Sequence, residues 1–163
     1  MVADRETLFT WLDEVMDPEV PVLSVVELGI IRDVEIEGDR VTVVVTPTYS
    51  GCPAMQVIEE EILAALRAKG VTDARVRTVF TPAWTTEWIP EHARAKLEAY
   101  GIAPPGRATS DTLVQIGRRA ELLRCPYCKS TETEVRSAFG STACKSICWC
   151  RACRQPFEQF KAI

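Results

Sequence analysis

The spacing of apolar residues in the first half of the chain predicts a helix followed by two strands. The first predicted helix has apolar positions at i, i+3, i+4 and i+7, which are Leu8, Trp11, Leu12 and Val15. An apolar run over 25–31 leads into a β-branched run over 34–46, and Gly38 with Asp39 inside the second run predicts a hairpin turn. We therefore expect two antiparallel strands after the helix.

A second helix and a third strand complete the predicted domain. Over 54–69 the apolar positions form one buried stripe, Met55, Ile58, Ile62 and Leu66, and Gly70 follows as a helix stop. The alternating run 74–80 predicts a strand that returns to the same sheet after the helical crossover. A polar helix over 90–100 follows. We expect an α+β domain with the order helix, strand, strand, helix, strand, helix.

Charge divides the chain into two parts. Residues 1–103 contain 9 Lys and Arg against 18 Asp and Glu, whereas residues 104–163 contain 10 against 5. The sign changes at a segment rich in Pro, Gly, Ser and Thr, which has the composition of a linker. The sequence therefore predicts a domain over 1–102, a linker over 103–121 and a cysteine-rich module over 122–163.

The seven cysteines of the chain indicate metal or thiol chemistry. The chain has no run of the roughly 18 apolar residues that a membrane span requires, and its first residues lack the order of a secretion signal. We therefore expect a cytoplasmic protein with no membrane association. In that reducing compartment, an odd number of cysteines with paired spacing argues against disulfides.

The most specific chemical signal is a pair of Cys-x2-Cys motifs near the carboxyl terminus. They consist of Cys125 and Cys128, then Cys150 and Cys153, with 21 residues between the pairs. Four thiolates at this spacing complete a tetrahedron around zinc. The runs 131–139, 142–149 and 156–161 predict strands. We expect a β-rich zinc ribbon with a structural zinc, because so small a module buries little apolar surface.

Two further cysteines leave the metal open. Cys144 and Cys148 bring the module to six sulfurs in 29 residues, more than one tetrahedral ion needs. They are additional candidate ligands, and an iron-sulfur cluster, which also takes four thiolates, stays an alternative to zinc. The basic charge of the module permits nucleic-acid binding, but the absence of a dense Lys/Arg stripe interleaved with aromatics argues against it.

Cys52 lies where the second predicted strand meets the second predicted helix. Gly51 permits a tight turn and Pro53 suits the first position of a helix, so Cys52 is expected at the helix N-cap. The free N–H groups and helix dipole there would favour a thiolate, which binds metals or attacks electrophiles. A small residue buried under the helix fits the same spacing equally well.

The remaining residues favour a non-catalytic protein. His92 is the only histidine and lies on a polar helix face, so it forms no Ser/His/Asp or Cys/His set. Trp84 and Trp88 either cover the sheet or form an exposed docking surface. The segment Asp17-Pro-Glu-Val-Pro21 predicts a rigid turn that carries two carboxylates.

Several motifs resemble those of known families. The first domain resembles cytosolic iron-sulfur assembly factors of the SufT type in Asp17-Pro-Glu-Val-Pro21, Leu28-Gly-Ile-Ile31, Thr46-Pro-Thr-Tyr-Ser-Gly-Cys-Pro-Ala54 and Pro82-Ala-Trp-Thr-Thr-Glu-Trp88. The later segments Phe139-Gly-Ser-Thr-Ala-Cys-Lys145 and Cys150-Arg-Ala-Cys-Arg-Gln-Pro-Phe157 narrow the resemblance. Together they resemble the PaaD family, small subunits associated with the phenylacetyl-CoA epoxidase of bacterial phenylacetate breakdown.

The resemblance implies a role for the candidate residues. It implies a reactive or iron-sulfur transfer thiol at Cys52, with Asp17 and Glu19 nearby, and a structural zinc on the four paired cysteines. It also implies an assembly factor that holds iron or a cluster transiently and matures a centre in the oxygenase or reductase subunits of the epoxidase. The alternative is a structural or electron-transfer subunit of the oxygenase whose metal is held by the carboxyl-terminal cysteines. A homodimer is compatible with either role.

Two positions depart from the family pattern. Lys129 stands where a glycine commonly follows the first Cys-x2-Cys motif, and this change is expected to alter a backbone hydrogen bond to sulfur without abolishing metal binding. Cys148 stands where the family more often has an apolar or aromatic residue, which leaves its role open.

Overall fold

The chain forms two compact units. The computed structural model describes residues 3–106 and 123–162, so residues 107–121 of the predicted linker lie outside the described part. The amino-terminal unit contains Met1–Trp84 and Trp88–Ala93, and the carboxyl-terminal unit contains Thr85–Glu87 and Arg94–Ile163. No helix within the described ranges combines the length and the apolarity that crossing a bilayer would take.

A three-stranded sheet organises the amino-terminal unit. Its strands are β1 (Ile31–Glu37), β2 (Arg40–Val45) and β3 (Asp73–Thr78), in the order β1-β2-β3. β1 and β2 are antiparallel and meet at a hairpin in which Gly38 has φ of 63°. β3 lies parallel to β2, as the predicted helical crossover requires. The expected order of helix, strand, strand, helix, strand is confirmed.

Two helices bury apolar stripes in this unit. Helix α1 (Arg5–Leu12) begins after Asp4, whose carboxylate accepts the N–H of Thr7 at 2.8 Å, and it buries Leu8 and Leu12. Helix α2 (Met55–Ala68) connects β2 to β3. The fully buried side chains of α2 are Ile58, Ile62 and Leu66. Burial of one such side chain stabilises the fold by about 1.5–3 kcal/mol.

Helix α1 is shorter than its apolar pattern predicts. The helix ends at Leu12, and the N–H of Val15 donates to the carbonyl of Leu12 at 3.1 Å, an i to i+3 bond that closes a turn. Val15 is nevertheless buried. The periodic pattern therefore predicted burial correctly but not the end of the helix.

The two tryptophans after β3 lie against the segment that precedes and begins β1. Trp84 is buried, and its indole N–H donates to the carbonyl of Leu28 at 2.8 Å. The guanidinium carbon of Arg32 lies 3.4 Å from the ring centroid of Trp88. Gly29 has φ of 71°, and a Cβ atom on it would lie 2.9 Å from Cβ of Trp88. The two tryptophans thus pack against the residues that precede and begin β1, and the close approach of Trp88 requires glycine at position 29.

A four-stranded sheet organises the carboxyl-terminal unit. After α3 (Glu91–Tyr100) come β4 (Ile102–Ala103), β5 (Thr133–Ser137), β6 (Lys145–Cys150) and β7 (Pro156–Phe160), in the order β4-β7-β6-β5. β4 pairs parallel with β7, and the other pairings are antiparallel. The three strands expected around the cysteines are present. β4 was not expected, and the predicted boundary between 102 and 103 falls inside it.

The contact at Gly29 yields a stability prediction. We expect Gly29→Ala to lower the free energy of unfolding by about 2–4 kcal/mol, because the new Cβ atom adds a steric clash to an unfavourable φ. Gly38→Ala is the matched control, since its φ is also positive but no atom lies within 4 Å of the added Cβ. It should cost about 1 kcal/mol. Urea unfolding followed by tryptophan fluorescence measures both, and equal losses would contradict the proposed clash.

Candidate metal and thiol sites

Four cysteine sulfurs converge in the carboxyl-terminal unit. The Sγ atoms of Cys125, Cys128, Cys150 and Cys153 all lie within 4.8 Å of one another. Cys125 and Cys153 are 3.7 Å apart, and Cys128 and Cys150 are 3.5 Å apart. A tetrahedral ion with metal–sulfur bonds of about 2.3 Å would separate its sulfurs by about 3.8 Å. The four sulfurs therefore fit around one metal ion.

Each Cys-x2-Cys motif is a tight turn closed by backbone hydrogen bonds. The N–H of Lys129 donates to the carbonyl of Cys125 at 2.9 Å, and the N–H of Cys150 donates to the carbonyl of Gln155 at 3.0 Å. The residue after each motif has a left-handed backbone, with φ of 63° at Lys129 and 56° at Arg154. An L side chain in this region costs roughly 1–2 kcal/mol. Lys129 thus adopts the conformation that would suit a glycine.

Hydrogen bonding and burial act on the thiols in opposite directions. The pKa of Cys150 is lowered, first because the backbone N–H of Cys153 donates to its sulfur. The pKa of Cys153 is raised, first by its burial and then by the neighbouring sulfurs. A divalent cation ionises the thiols that coordinate it. Metal binding would therefore release protons and weaken as the pH falls.

Cys144 and Cys148 lie outside this group of four in the part of the chain that the structure describes. Cys148 is fully buried, and its sulfur lies 3.8 Å from Oγ of Ser146 and 4.0 Å from Oε1 of Gln159. Burial raises the pKa of the Cys148 thiol. The sulfur of Cys144 lies 3.1 Å from the hydroxyl of Thr142. Both thiols therefore contact polar protein groups, and neither belongs to the group of four sulfurs.

An ion pair between a buried lysine and a half-buried glutamate holds the loop that precedes β6. Oε1 of Glu158 accepts the N–H of Ser141 at 2.7 Å, and its Oε2 lies 3.2 Å from Nζ of the buried Lys145. Burial acts to raise the pKa of Glu158, but the bonds from Ser141 and the pairing with Lys145 outweigh it and hold that pKa below its usual value. The stabilisation is therefore present at neutral pH and lost as acid protonates the carboxylate.

Cys52 lies in the loop between β2 and α2, but not at the helix N-cap. The N-cap is Ala54, because the first helical hydrogen bond runs from the N–H of Ile58 to the carbonyl of Ala54 at 2.9 Å. The carbonyl of Cys52 instead accepts the N–H of Met55 at 3.3 Å in the preceding turn. The expected N-cap placement was wrong by two residues. Cys52 is half-buried, and no described cysteine forms a disulfide with it.

The two carboxylates of the predicted turn play different parts. Asp17 is buried, and its Oδ1 accepts the N–H groups of Glu19 and Val20 at 2.8 and 2.7 Å. These bonds hold the turn in which Glu19 stands. Oε2 of Glu19 lies 4.0 Å from Sγ of Cys52. The structure therefore brings Glu19 to the thiol, while Asp17 fixes the backbone that carries Glu19.

Ser24, Glu27 and His92 form a polar network that was not predicted from the sequence. The N–H of Ser24 donates to Glu27 Oε2 at 3.1 Å, and the Ser24 hydroxyl accepts the N–H of Glu27 at 3.0 Å. This reciprocal arrangement has the Ser-x-x-Glu pattern of a capping box, which was the available signal. Nε2 of the exposed His92 lies 3.2 Å from Oε1 of Glu27. Among described residues, the buried hydroxyl of Thr46 has no hydrogen-bond partner.

Comparison with known proteins identifies two family matches. Residues 5–79 match the family described as iron-sulfur cluster assembly protein, and residues 109–161 match the PaaD zinc beta ribbon domain. The chain is 40% identical to a protein of Escherichia coli named as one of the subunits of 1,2-phenylacetyl-CoA epoxidase, over 96% of this chain and 92% of that protein. It is 34% identical to the Fe-S protein maturation auxiliary factor YitW of Bacillus subtilis, over 57% of this chain and 92% of that protein.

Solved structures resemble part of the chain. A domain of unknown function from Bacillus anthracis matches with a TM-score of 0.53 and 27% identity, over 57% of this chain and 90% of that one. A conserved hypothetical protein from Thermotoga maritima matches with a TM-score of 0.51 and 31% identity, over 58% of this chain and 94% of that one. These neighbours support the α+β class expected from the sequence.

The separation of Cys148 from the four sulfurs yields a prediction about metal content. Cys148→Ala should leave the bound metal per chain unchanged and lower stability by about 1–2 kcal/mol through lost packing. Cys153→Ala should lose the metal, because three thiolates cannot complete the tetrahedron. Elemental analysis of the purified full-length variants measures this. Loss of metal from the Cys148 variant would make that residue a ligand.

The left-handed backbone at Arg154 yields a second prediction. Arg154→Gly should raise the free energy of unfolding of the metal-loaded chain by about 1 kcal/mol, because glycine adopts this φ without strain. Ala152→Gly, in the same motif but at a residue whose φ is not positive, should lower it by about 0.4–1 kcal/mol. Thermal unfolding of both variants provides the comparison. A shift of the same sign in both would contradict the interpretation.

Proposed function

Since this chain belongs to the PaaD family of phenylacetyl-CoA epoxidase subunits, we propose that it is an accessory factor that matures an iron-sulfur or iron centre in a partner protein. The proposed recipients are the oxygenase and reductase subunits of the epoxidase. The observation that carries the proposal is the half-buried thiol of Cys52, 4.0 Å from the carboxylate of Glu19, in the unit that resembles maturation factors.

In this proposal Cys52 holds its cargo incompletely. One thiolate and one carboxylate supply two ligands, whereas an iron-sulfur cluster takes four. Cargo held in this way is open to ligands from a recipient. Transfer is then a ligand exchange in which the iron–sulfur bond to Cys52 and the iron–oxygen bond to Glu19 both break as two recipient sulfurs bond to the cargo. The two recipient thiols give their protons to the departing Cys52 sulfur and Glu19 carboxylate, and the oxidation state of the iron is unchanged.

We propose that the four paired cysteines hold a structural zinc ion. One buried cluster among the described residues of this unit consists of Ala103, Cys125, Cys148, Cys150 and Phe157. Because a module this small buries little apolar surface, burial supplies little stabilisation. A zinc ion bound by the four thiolates would supply much of the folding free energy. The sulfur separations of 3.5 and 3.7 Å support this proposal.

A structural or electron-transfer subunit of the oxygenase is the second candidate. It is favoured by the name of the Escherichia coli relative, which describes a subunit of an epoxidase. Iron on the four paired cysteines, together with stable co-purification with the catalytic subunits, would support this role. Zinc on these cysteines and transient association would support the assembly role.

The assembly role predicts the effect of replacing Cys52. In cells that make the epoxidase subunits together with Cys52→Ser, the recipient should contain as little iron and sulfide as in cells without this protein. The variant itself should retain its zinc and its thermal midpoint, because Cys52 lies outside the group of four sulfurs. Iron and sulfide per recipient chain are the quantities to measure.

Cys144→Ser is the matched control for this experiment. It also removes one thiol outside the group of four sulfurs, but from the carboxyl-terminal unit. The recipient should then be fully loaded. A fully loaded recipient in cells with Cys52→Ser would refute the transfer role of Cys52.

A further inference from the structure

Large apolar side chains are exposed in the amino-terminal unit, and most of them lie at one edge of its sheet. Within the described residues of that unit, five such side chains are between 40% and 59% exposed: Met16, Ile36, Tyr49, Val57 and Phe80. Side chains of this size on a surface indicate an interaction site when they are grouped rather than scattered. Four of the five lie on segments that meet at one edge of the sheet, and Ile36 is the exception.

The parallel pairing of β2 and β3 explains why two of these residues lie near Cys52. The last residues of the two strands, Val45 and Thr78, are paired, so both strands end at the same edge. The loop 46–52, which contains Tyr49 and Cys52, leaves the sheet at that edge. Phe80 lies two residues beyond the end of β3. The N–H of Val79, between them, donates to the carbonyl of Val45 at 2.8 Å and keeps this segment at the edge.

The other two residues lie on segments that reach the same edge. The hydroxyl of Thr78 donates to Oε1 of Glu59 at 3.1 Å, which ties the end of β3 to the start of α2, where Val57 is exposed. Met16 immediately precedes Asp17, the residue that holds the turn of Glu19. Four exposed apolar side chains therefore lie on segments that meet near Cys52 and Glu19.

Acidic residues near this edge outnumber Arg32, at the start of β1, and Arg77, at the end of β3. Residues 59–61 at the start of α2 are all Glu, and no basic residue follows in the helix before Arg67. Glu19 adds a carboxylate next to the thiol. The amino-terminal sequence as a whole carries twice as many acidic as basic residues, 18 against 9 over residues 1–103. A partner whose own surface is basic would therefore be attracted to this edge.

We propose that Met16, Tyr49, Val57 and Phe80 form a ring around Cys52, and that this ring is the docking surface for the protein that receives the iron or cluster. The inference rests on the proposed function and specifies the partner. The complementary surface of the recipient is basic, and it presents apolar side chains beside the cysteines of its unfilled iron site. Contact through the ring excludes water from the thiol and brings the recipient's sulfur ligands within bonding distance of the cargo.

The test measures binding rather than loading. Each subunit of the epoxidase, purified without its iron or cluster, is titrated with the full-length protein by calorimetry. The double variant Tyr49→Ser with Phe80→Ser should bind the recipient at least about tenfold more weakly, because buried aromatic side chains dominate interface affinity. Binding should also weaken as salt is raised, since the charges at the rim of the interface become screened.

Ile36→Ser is the matched control. Ile36 is also an exposed apolar residue, but it pairs with Val41 near the hairpin, about 13 Å along the sheet from Val45. The affinity of Ile36→Ser for the recipient should equal that of the unmodified protein. Cys52→Ser should also bind normally while failing to load the recipient, which separates docking from transfer.

Four outcomes of the titrations would overturn the docking proposal. They are unchanged binding by the double variant, equal losses in the double variant and Ile36→Ser, no dependence on salt, and no binding by any of the subunits. Sedimentation of the protein alone provides a further check. A dimer that dissociates in the double variant would show that the ring is covered by a second copy instead. If the double variant binds normally and the recipient stays unloaded in cells with Cys52→Ser, the docking surface is refuted and the transfer role of Cys52 is not.

Discussion

The parallel pairing of β2 with β3 is the interaction on which the candidate thiol site depends. Two neighbouring parallel strands cannot be joined by a short turn, so the chain must cross over through a helix. The crossover begins with the loop that carries Cys52 and continues into α2. Because Val45 pairs with Thr78, the segments that follow both strands start together. The thiol, the start of the helix and Phe80 are therefore neighbours as a result of topology rather than of any local motif.

The carboxyl-terminal unit depends on a different constraint, the convergence of four sulfurs. Two of its turns have left-handed residues that are not glycine, and three of the five residues in one of its buried clusters are cysteines. Both features lower the stability that the chain could reach through packing alone. The separation of the sulfurs fits a tetrahedral ion, so a bound metal would compensate for both. The ion pair of buried Lys145 with half-buried Glu158 adds a link between β6 and β7 that does not involve sulfur.

Much of the fold could be predicted from the sequence, because its main signals are periodic and local. Three signals predict most of it: the alternation along the strands, the buried stripe of α2 and the two Cys-x2-Cys motifs. Each of these signals depends only on residues that are close together in the sequence. The N-cap of α2 could not be predicted, since it depends on which carbonyl takes the N–H of Ile58. Similarly, the contact of Glu27 with His92 joins residues 65 positions apart, and neither residue has a local pattern that specifies the other. The family resemblance implied that Glu19 lies near Cys52. The distance between them follows only from the tertiary fold.

The short strand β4 has a consequence for how the ribbon can be inherited as a module. Ile102 and Ala103 pair with Glu158 and Gln159, so a segment before the first paired cysteine supplies one edge of the ribbon sheet. Ala103 also belongs to the buried core of this sheet. A copy of the ribbon that began at the first cysteine would leave the backbone of β7 unpaired on one side and a gap in that core. Exchange of the ribbon between proteins, by recombination or by grafting, therefore has to include the residues that follow α3.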